Sequence, residues 1–183
     1  MPNRPIFVIS GTNRPQSSTA KVAKVLVSAY QKLGLAVDSY DLLDLPPELF
    51  QPAAYGKKPE AFLAVQQRVL DSAGIHVVTP EYNGSFPGAL KYFIDMLKFP
   101  ESFERKPVAF VGIAAGVWGA LRPVEQLQMV FGYRNAHVYP ERVFVPQVTA
   151  KIGPDGVFND AAIADRLLKQ AEGFAQFAHV LAK

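Results

Sequence analysis

The 183-residue sequence contains no cysteine. That excludes disulfides, a thiolate nucleophile, a Cys-X-X-Cys redox pair, cysteinyl zinc sites and iron–sulfur clusters. Histidine is nearly as scarce: His76, His137 and His179 are the only three. They stand far apart and without ligand spacing, so no metal site is expected. No apolar run approaches the ~18 residues of a membrane span. Near the N-terminus, Ile6-Phe7-Val8-Ile9 is too short for the apolar core of a signal peptide, which points to a cytoplasmic protein. Charged residues make up 19% with a net charge of +3, and Lys and Arg are scattered rather than clustered. No nucleic-acid-binding tail or membrane-binding patch follows from that pattern. Whatever chemistry this chain performs, it has little titratable or metal-binding equipment of its own.

Hydrophobic residues account for 49% of the chain, a globular profile. The length suits one domain spanning 1–183. Short apolar runs alternate with helical patterns. Strands are expected at Pro5–Ser10, Leu35–Leu42, Ala73–Thr79, Pro107–Ile113 and, interrupted, His137–Val145. Helices are expected from Ser18 to Leu33, capped by Ser18 or Thr19 and stopped by Gly34, then at Glu60–Leu70, Gly88–Phe99 and Val124–Phe131. A last helix starts from a cap at Asn159 or Asp160. Strands apolar on both faces and separated by helices imply a parallel sheet covered on each side. With five strands and right-handed crossovers, the flavodoxin-like doubly wound order 2-1-3-4-5 is expected. A ligand then sits beyond the carboxyl ends of the strands, at the loops after strands one, three and four.

The first of these loops reads Gly11-Thr12-Asn13-Arg14-Pro15-Gln16-Ser17-Ser18-Thr19. Four hydroxyls (Thr12, Ser17, Ser18, Thr19) and the Arg14 guanidinium converge on a helix N-terminus, where unpaired N–H groups favour an anion. The loop lacks both the Gly-Lys-Ser/Thr of a triphosphate loop and a dinucleotide-binding glycine pattern, so a phosphate monoester fits it best. The second loop, Thr79 to Gly88, carries Pro80, a turn at Asn83-Gly84, and Pro87 before the next helix. It exposes backbone groups to a planar ligand, with Tyr82 as an aromatic wall.

These residues resemble the NADPH-dependent FMN reductase family. The first loop is similar to that family's Gly-Ser-x-Arg-x-x-Ser phosphate loop, with Thr12 where serine is usual. Pro80-Glu81-Tyr82-Asn83-Gly84-Ser85-Phe86-Pro87-Gly88-Ala89-Leu90-Lys91 is similar to its Pro-Glu-Tyr-Asn-x-Ser-x-Pro-Gly-x-Leu-Lys signature. The resemblance runs from Ile6 to about Val145. It implies bound FMN, with Thr12, Arg14, Ser17, Ser18 and Thr19 around the phosphate and Pro80, Glu81, Tyr82, Asn83 and Gly84 framing the ring. It adds Ala115, Gly116 and Trp118 from the loop after strand four, where Trp118 is bulkier than the family's glycine-rich run.

The resemblance also implies NADPH or NADH as co-substrate and a small-molecule acceptor such as a quinone, azo dye, free flavin or metal oxyanion. Kinetics would be ping-pong, and no protein acid or base is needed for hydride transfer, so no catalytic side chain is expected. Glu81 and Lys91 are the nearest titratable residues and read as structural. Arg14, Arg105 and Arg122 are the candidates for a coenzyme 2′-phosphate. A flavodoxin-type electron carrier or a non-enzymatic mononucleotide-binding regulatory module are the alternatives; the basic charge speaks against the carrier. The helix at Leu90–Phe99 has an apolar arc wider than a surface helix needs. That arc is expected either to lie under neighbouring loops or to form a homodimer or dimer-of-dimers (homotetramer) interface.

Overall fold

The computed structural model describes residues 4–181. Strands β1 (Ile6–Ser10), β2 (Val37–Asp41), β3 (Gly74–Pro80), β4 (Pro107–Ile113) and β5 (His137–Val145) form one sheet in the order β2-β1-β3-β4-β5. Every pairing is parallel. The helices are α1 (Ser18–Lys32), α2 (Glu60–Asp71), α3 (Gly88–Met96), α4 (Leu121–Tyr133), the single turn α5 (Val148–Lys151) and α6 (Ala161–Leu181). This is the doubly wound architecture that the alternation of patterns implied.

β1, β3 and β4 are buried along their whole length. Alternate residues feed two separate cores, as the two-residue period of a strand requires. Phe7, Ile9, Ile75, Val77, Val108 and Phe110 pack beneath α2, α3 and α4. Ile6, Val8, Val78, Ala109 and Val111 pack beneath α1 and α6. Each Leu, Ile or Phe hidden this way contributes about 1.5–3 kcal/mol.

One polar cluster interrupts the second core. His76, fully buried on β3, shares a 2.7 Å hydrogen bond between its Nδ1 and the Tyr30 hydroxyl. Burial holds the imidazole neutral and pushes its pKa down to about 3, an effect that Gln170 on the same ring only partly offsets. Gln170 donates its own amide to the carbonyls of Phe110 and Glu141.

The rims of the sheet are shaped by specific side chains. At β2, Arg68 forks onto Asp38 at 2.8 and 2.6 Å and also reaches the Ser39 carbonyl. That hydrogen-bonded guanidinium holds the Asp38 carboxyl below its ordinary value. At β5 the register jumps, with Val108 opposite Val138 but Phe110 opposite Arg142, so Pro140 falls in a bulge on an edge strand.

Several boundaries differ from those expected. The α1 cap is Ser17, whose Oγ accepts from the Ala20 amide at 3.1 Å, because a capping oxygen needs extended backbone just before the first helical residue. Asp160, one of the two caps expected, does cap α6 through the Ala162 amide. β3 runs one residue past the expected Thr79, to Pro80, which lies opposite Ile113. The Pro80 nitrogen lies on the β1 side, where β1 has already finished at Ser10. α4 begins at Leu121, since Pro123 falls in the first turn, where no N–H is needed. α3 ends at Met96, so Phe99 lies beyond it.

Leu42–Asp44, Pro47–Phe50 and Pro52–Tyr55 form three short 3₁₀ turns that strap over α3. Tyr92 donates to the Leu49 carbonyl and stacks on Phe50. Leu90, Phe93, Ile94, Met96 and Leu97 are all buried within the chain. Neighbouring loops therefore cover most of the wide apolar arc.

Candidate functional site

The loops after β1, β3 and β4 emerge side by side, because these strands are adjacent in the sheet and parallel. The first loop leaves β1 through Gly11, where a Cβ would lie 2.7 Å from the Val78 carbonyl oxygen. Only glycine fits that approach. Thr12 is fully buried. Its hydroxyl lies 3.0 Å from the Tyr82 hydroxyl and 3.3 Å from the Arg14 amide. It thereby ties the first loop to the second, 70 residues on.

Asn13, Arg14, Pro15 and Gln16 are exposed, and Gln16 adopts a left-handed conformation. The hydroxyl of Ser17 is used as the α1 cap, Ser18 is half-buried and Thr19 is buried. Among the described residues, no protein acceptor takes the amide protons of Asn13, Gln16 or Ser17. Free amides, the Arg14 guanidinium, a helix N-terminus and no carboxylate in the loop make a donor set that suits a phosphate monoester. The terminal phosphate of FMN fits it.

The second loop is a tight hairpin. Tyr82 and Ser85 exchange backbone hydrogen bonds of 2.8 and 3.0 Å. Asn83 (φ 52°) and Gly84 (φ 76°) form the left-handed pair between them. This is the Asn-Gly turn in which both central residues need positive φ. It turns the backbone edge of Asn83 and Gly84 outward. Pro80 anchors the loop at the strand end, and the Glu81 amide donates to Ile113. The Ser85 hydroxyl donates to Gln126 of α4 at 2.6 Å.

The third loop is braced at its base. The Ala114 amide donates to Val145, that of Val148 to Ala114 and that of Gln147 to Gly116. A Cβ on Gly112 would lie 2.8 Å from the Gly119 carbonyl, so the loop folds flat against β4. Gly119 and Ala120 then take successive left-handed conformations into α4. Ala115, Gly116, Val117 and Trp118 are left exposed on the outer turn.

The structure thus brings Thr12, Arg14, Ser17, Ser18, Thr19, Pro80 to Gly84, Ala115, Gly116 and Trp118 to one end of the sheet. Arg122 joins them from the first turn of α4, with NH1 3.8 Å from Glu81 Oε1. Arg105 does not: it precedes β4 and lies at the opposite end of the sheet, so it is no candidate for a coenzyme phosphate bound here. Lys91 pairs with Asp95 one helical turn away at 2.7 Å. Gln126 is the contact that sequence reading missed; its signal is the four-residue spacing from Arg122 on one face of α4.

The family profile described as NADPH-dependent FMN reductase matches residues 5–150. A 2-hydroxy-1,4-benzoquinone reductase from Burkholderia sp is 31% identical over 131 residues, covering 70% of each chain. An NADPH azoreductase from Bacillus sp. (strain OY1-2) is 27% identical over 151 residues, covering 82% of each chain. Among solved structures, the flavoenzyme NAD(P)H:(acceptor) oxidoreductase FerB from Paracoccus denitrificans superposes with a TM-score of 0.79. It is 24% identical, with 96% of this chain and 97% of that one covered, which shows the shared fold. With its flavodoxin-like sheet and the profile match along most of its length, the chain belongs to the NADPH-dependent FMN reductase family of NAD(P)H-dependent, FMN-binding oxidoreductases.

Proposed function

We propose that this protein is a two-electron reductase that uses NAD(P)H to reduce a small planar acceptor of the quinone or azo class, nicotinamide and acceptor occupying one slot in turn. The observation that carries the reading is the convergence of a free anion cradle at Asn13–Ser17, a planar-ligand edge at Asn83-Gly84 and an exposed aromatic loop at Trp118 on one end of the sheet. When bound, FMN would supply the hydride chemistry between nicotinamide and acceptor. The protein's own groups bind and orient. Arg14 and the orphan amides of the first loop neutralise and hold the phosphate. The Thr12–Tyr82 contact fixes the spacing between the phosphate loop and the ring-framing hairpin. Ser85 and Gln126 keep that hairpin from swinging away from α4. No side chain is assigned a proton-transfer role, because the hydride chemistry would be supplied by the bound flavin and the chain would only position it.

We also infer a homo-oligomer at the patch where Phe50 and Tyr55, both exposed, flank Tyr92. Stacked aromatics left in water beside α3 favour a second copy of the chain. Sedimentation as a monomer at micromolar concentration would remove it. No helix among the described residues is long and apolar enough to cross a membrane. We place the protein in the cytoplasm.

The deciding experiment mixes the FMN-loaded protein with NADPH or NADH without oxygen and follows the visible flavin band, then adds a quinone. Bleaching by the nicotinamide and recovery on adding the quinone support the reductase. A flavin reduced only by a protein partner would make it a carrier, and a protein without FMN affinity would leave a non-enzymatic module.

A further inference from the structure

The rim of the site carries a guanidinium that the fold itself does not use. Arg4 and Arg68 spend theirs on protein carbonyls and a carboxylate at 2.6–2.8 Å. Among the described residues, Arg122 has one ionic contact, with Glu81, and 3.8 Å is too long for a hydrogen bond. Its side chain is 60% exposed against 15% for Glu81, so it reaches outward while the carboxylate stays at its base. The guanidinium carbon lies 6.0 Å from the centroid of the Trp118 ring. That ring is 65% exposed, beside an equally open Val117.

An indole left largely in water forgoes most of the stabilisation that burial would give it. Here it is displayed on a loop whose base is braced by three backbone hydrogen bonds, and the Leu121 amide closes the turn onto the Trp118 carbonyl at 3.3 Å. An aromatic face and a free cation are therefore presented together, on a stiff support, at the edge of the slot.

We propose that Trp118 and Arg122 form the acceptor-recognition pair of this enzyme, selecting planar acceptors that carry an anionic substituent. The class includes sulfonated or carboxylated quinones and azo compounds, and hydroxyquinones in their ionised form. This rests on the reductase reading above and specifies its substrate class. The planar guanidinium matches a sulfonate or carboxylate with two parallel N–H···O bonds. Because Glu81 is not hydrogen-bonded to Arg122, the incoming anion takes the open edge without breaking a bond. Trp118 covers the apolar face of the same molecule, with the cation held against the edge of the stack.

The test is a binding titration on oxidised, FMN-loaded protein without coenzyme. Trp118 is the chain's only tryptophan, so quenching of its emission reports occupancy directly. The probes are anthraquinone-2-sulfonate and its neutral 2-hydroxymethyl analogue. The wild type is expected to bind the sulfonate about ten-fold more tightly, the size of one charged hydrogen-bonded contact. Arg122→Gln should erase that preference, and Arg122→Lys should restore part of it. Trp118→Leu, followed by the flavin difference spectrum, should weaken both probes together.

Equal affinity of the wild type for the two probes overturns the proposal, as does a preference that survives Arg122→Gln. An Arg122→Gln variant that keeps the preference but raises KM for NADPH and not for NADH would instead make this guanidinium a reader of the coenzyme 2′-phosphate. Failure of NADPH to bleach the flavin would remove the reductase reading while leaving the titration interpretable.

Discussion

Lowering the pH from 7 to 5 should cost this protein about 2 kcal/mol of stability through one side chain, His76. Folded, its imidazole is neutral with a pKa of about 3; in an unfolded chain the ordinary value is 6.5. Between those values the unfolded chain binds the extra proton and the folded one does not, so stability is full above 6.5 and falls as the pH drops. At pH 5 the deficit spans about 1.5 units at about 1.4 kcal/mol each, a factor of roughly 30 in the folding equilibrium. Asp38 does not confuse the result, because its carboxyl is held below 3.8 and loses its contribution only in stronger acid.

The comparison is urea unfolding of the wild type and of Tyr30→Phe/His76→Phe at both pH values. Removing both partners leaves no stranded hydroxyl, so the double variant is expected to stay within a few kcal/mol of the wild type at pH 7. It should lose about 2 kcal/mol less than the wild type on moving to pH 5. Equal losses in the two proteins would refute a neutral, buried imidazole.

Arg14→Ala should weaken FMN binding by about 10- to 100-fold, read by quenching of flavin fluorescence on titration; unchanged affinity would discredit the phosphate cradle. Gly84→Ala should destabilise the protein by about 1–2 kcal/mol in thermal or urea unfolding, because φ is 76° there although no atom blocks the added methyl. Gly11→Ala has the opposite origin and a larger cost, about 1–3 kcal/mol, from a Cβ 2.7 Å from the Val78 oxygen. It should also lower FMN affinity in the same fluorescence titration, since the first loop must shift to make room.

The strands were legible because a sheet covered on both faces needs continuous apolar runs such as Ile6–Ile9 and Val108–Val111. The doubly wound order followed from the intervening helices. The site loops were legible for a local reason: Arg14, the Ser17–Thr19 hydroxyls and Asn83-Gly84 each announce their chemistry within a few residues. What stayed hidden depends on distant partners. The strap at Leu42–Tyr55 has no periodicity, since Leu42, Leu49 and Ala54 are buried by what they meet and not by a repeating pattern. Without it, the apolar arc of α3 reads as wider than a surface helix needs, and the strap is what covers most of it. The Thr12–Tyr82 and Ser85–Gln126 contacts likewise join segments far apart in sequence and leave no trace in either one. The cap at Ser17, one residue before the expected pair, is the ordinary ambiguity of three consecutive hydroxyl residues.

The fork of Arg68 onto Asp38 and Ser39 has a consequence for how copies of this protein can meet. A β-sheet grows by adding a strand to an open margin, and here both margins carry features that oppose growth. At β2 the Ser39 carbonyl that an incoming strand would need is already taken by the guanidinium. At β5, Pro140 has no amide to offer and the bulge breaks the ladder. Strand pairing between copies is thereby disfavoured relative to contacts through side chains, face against face.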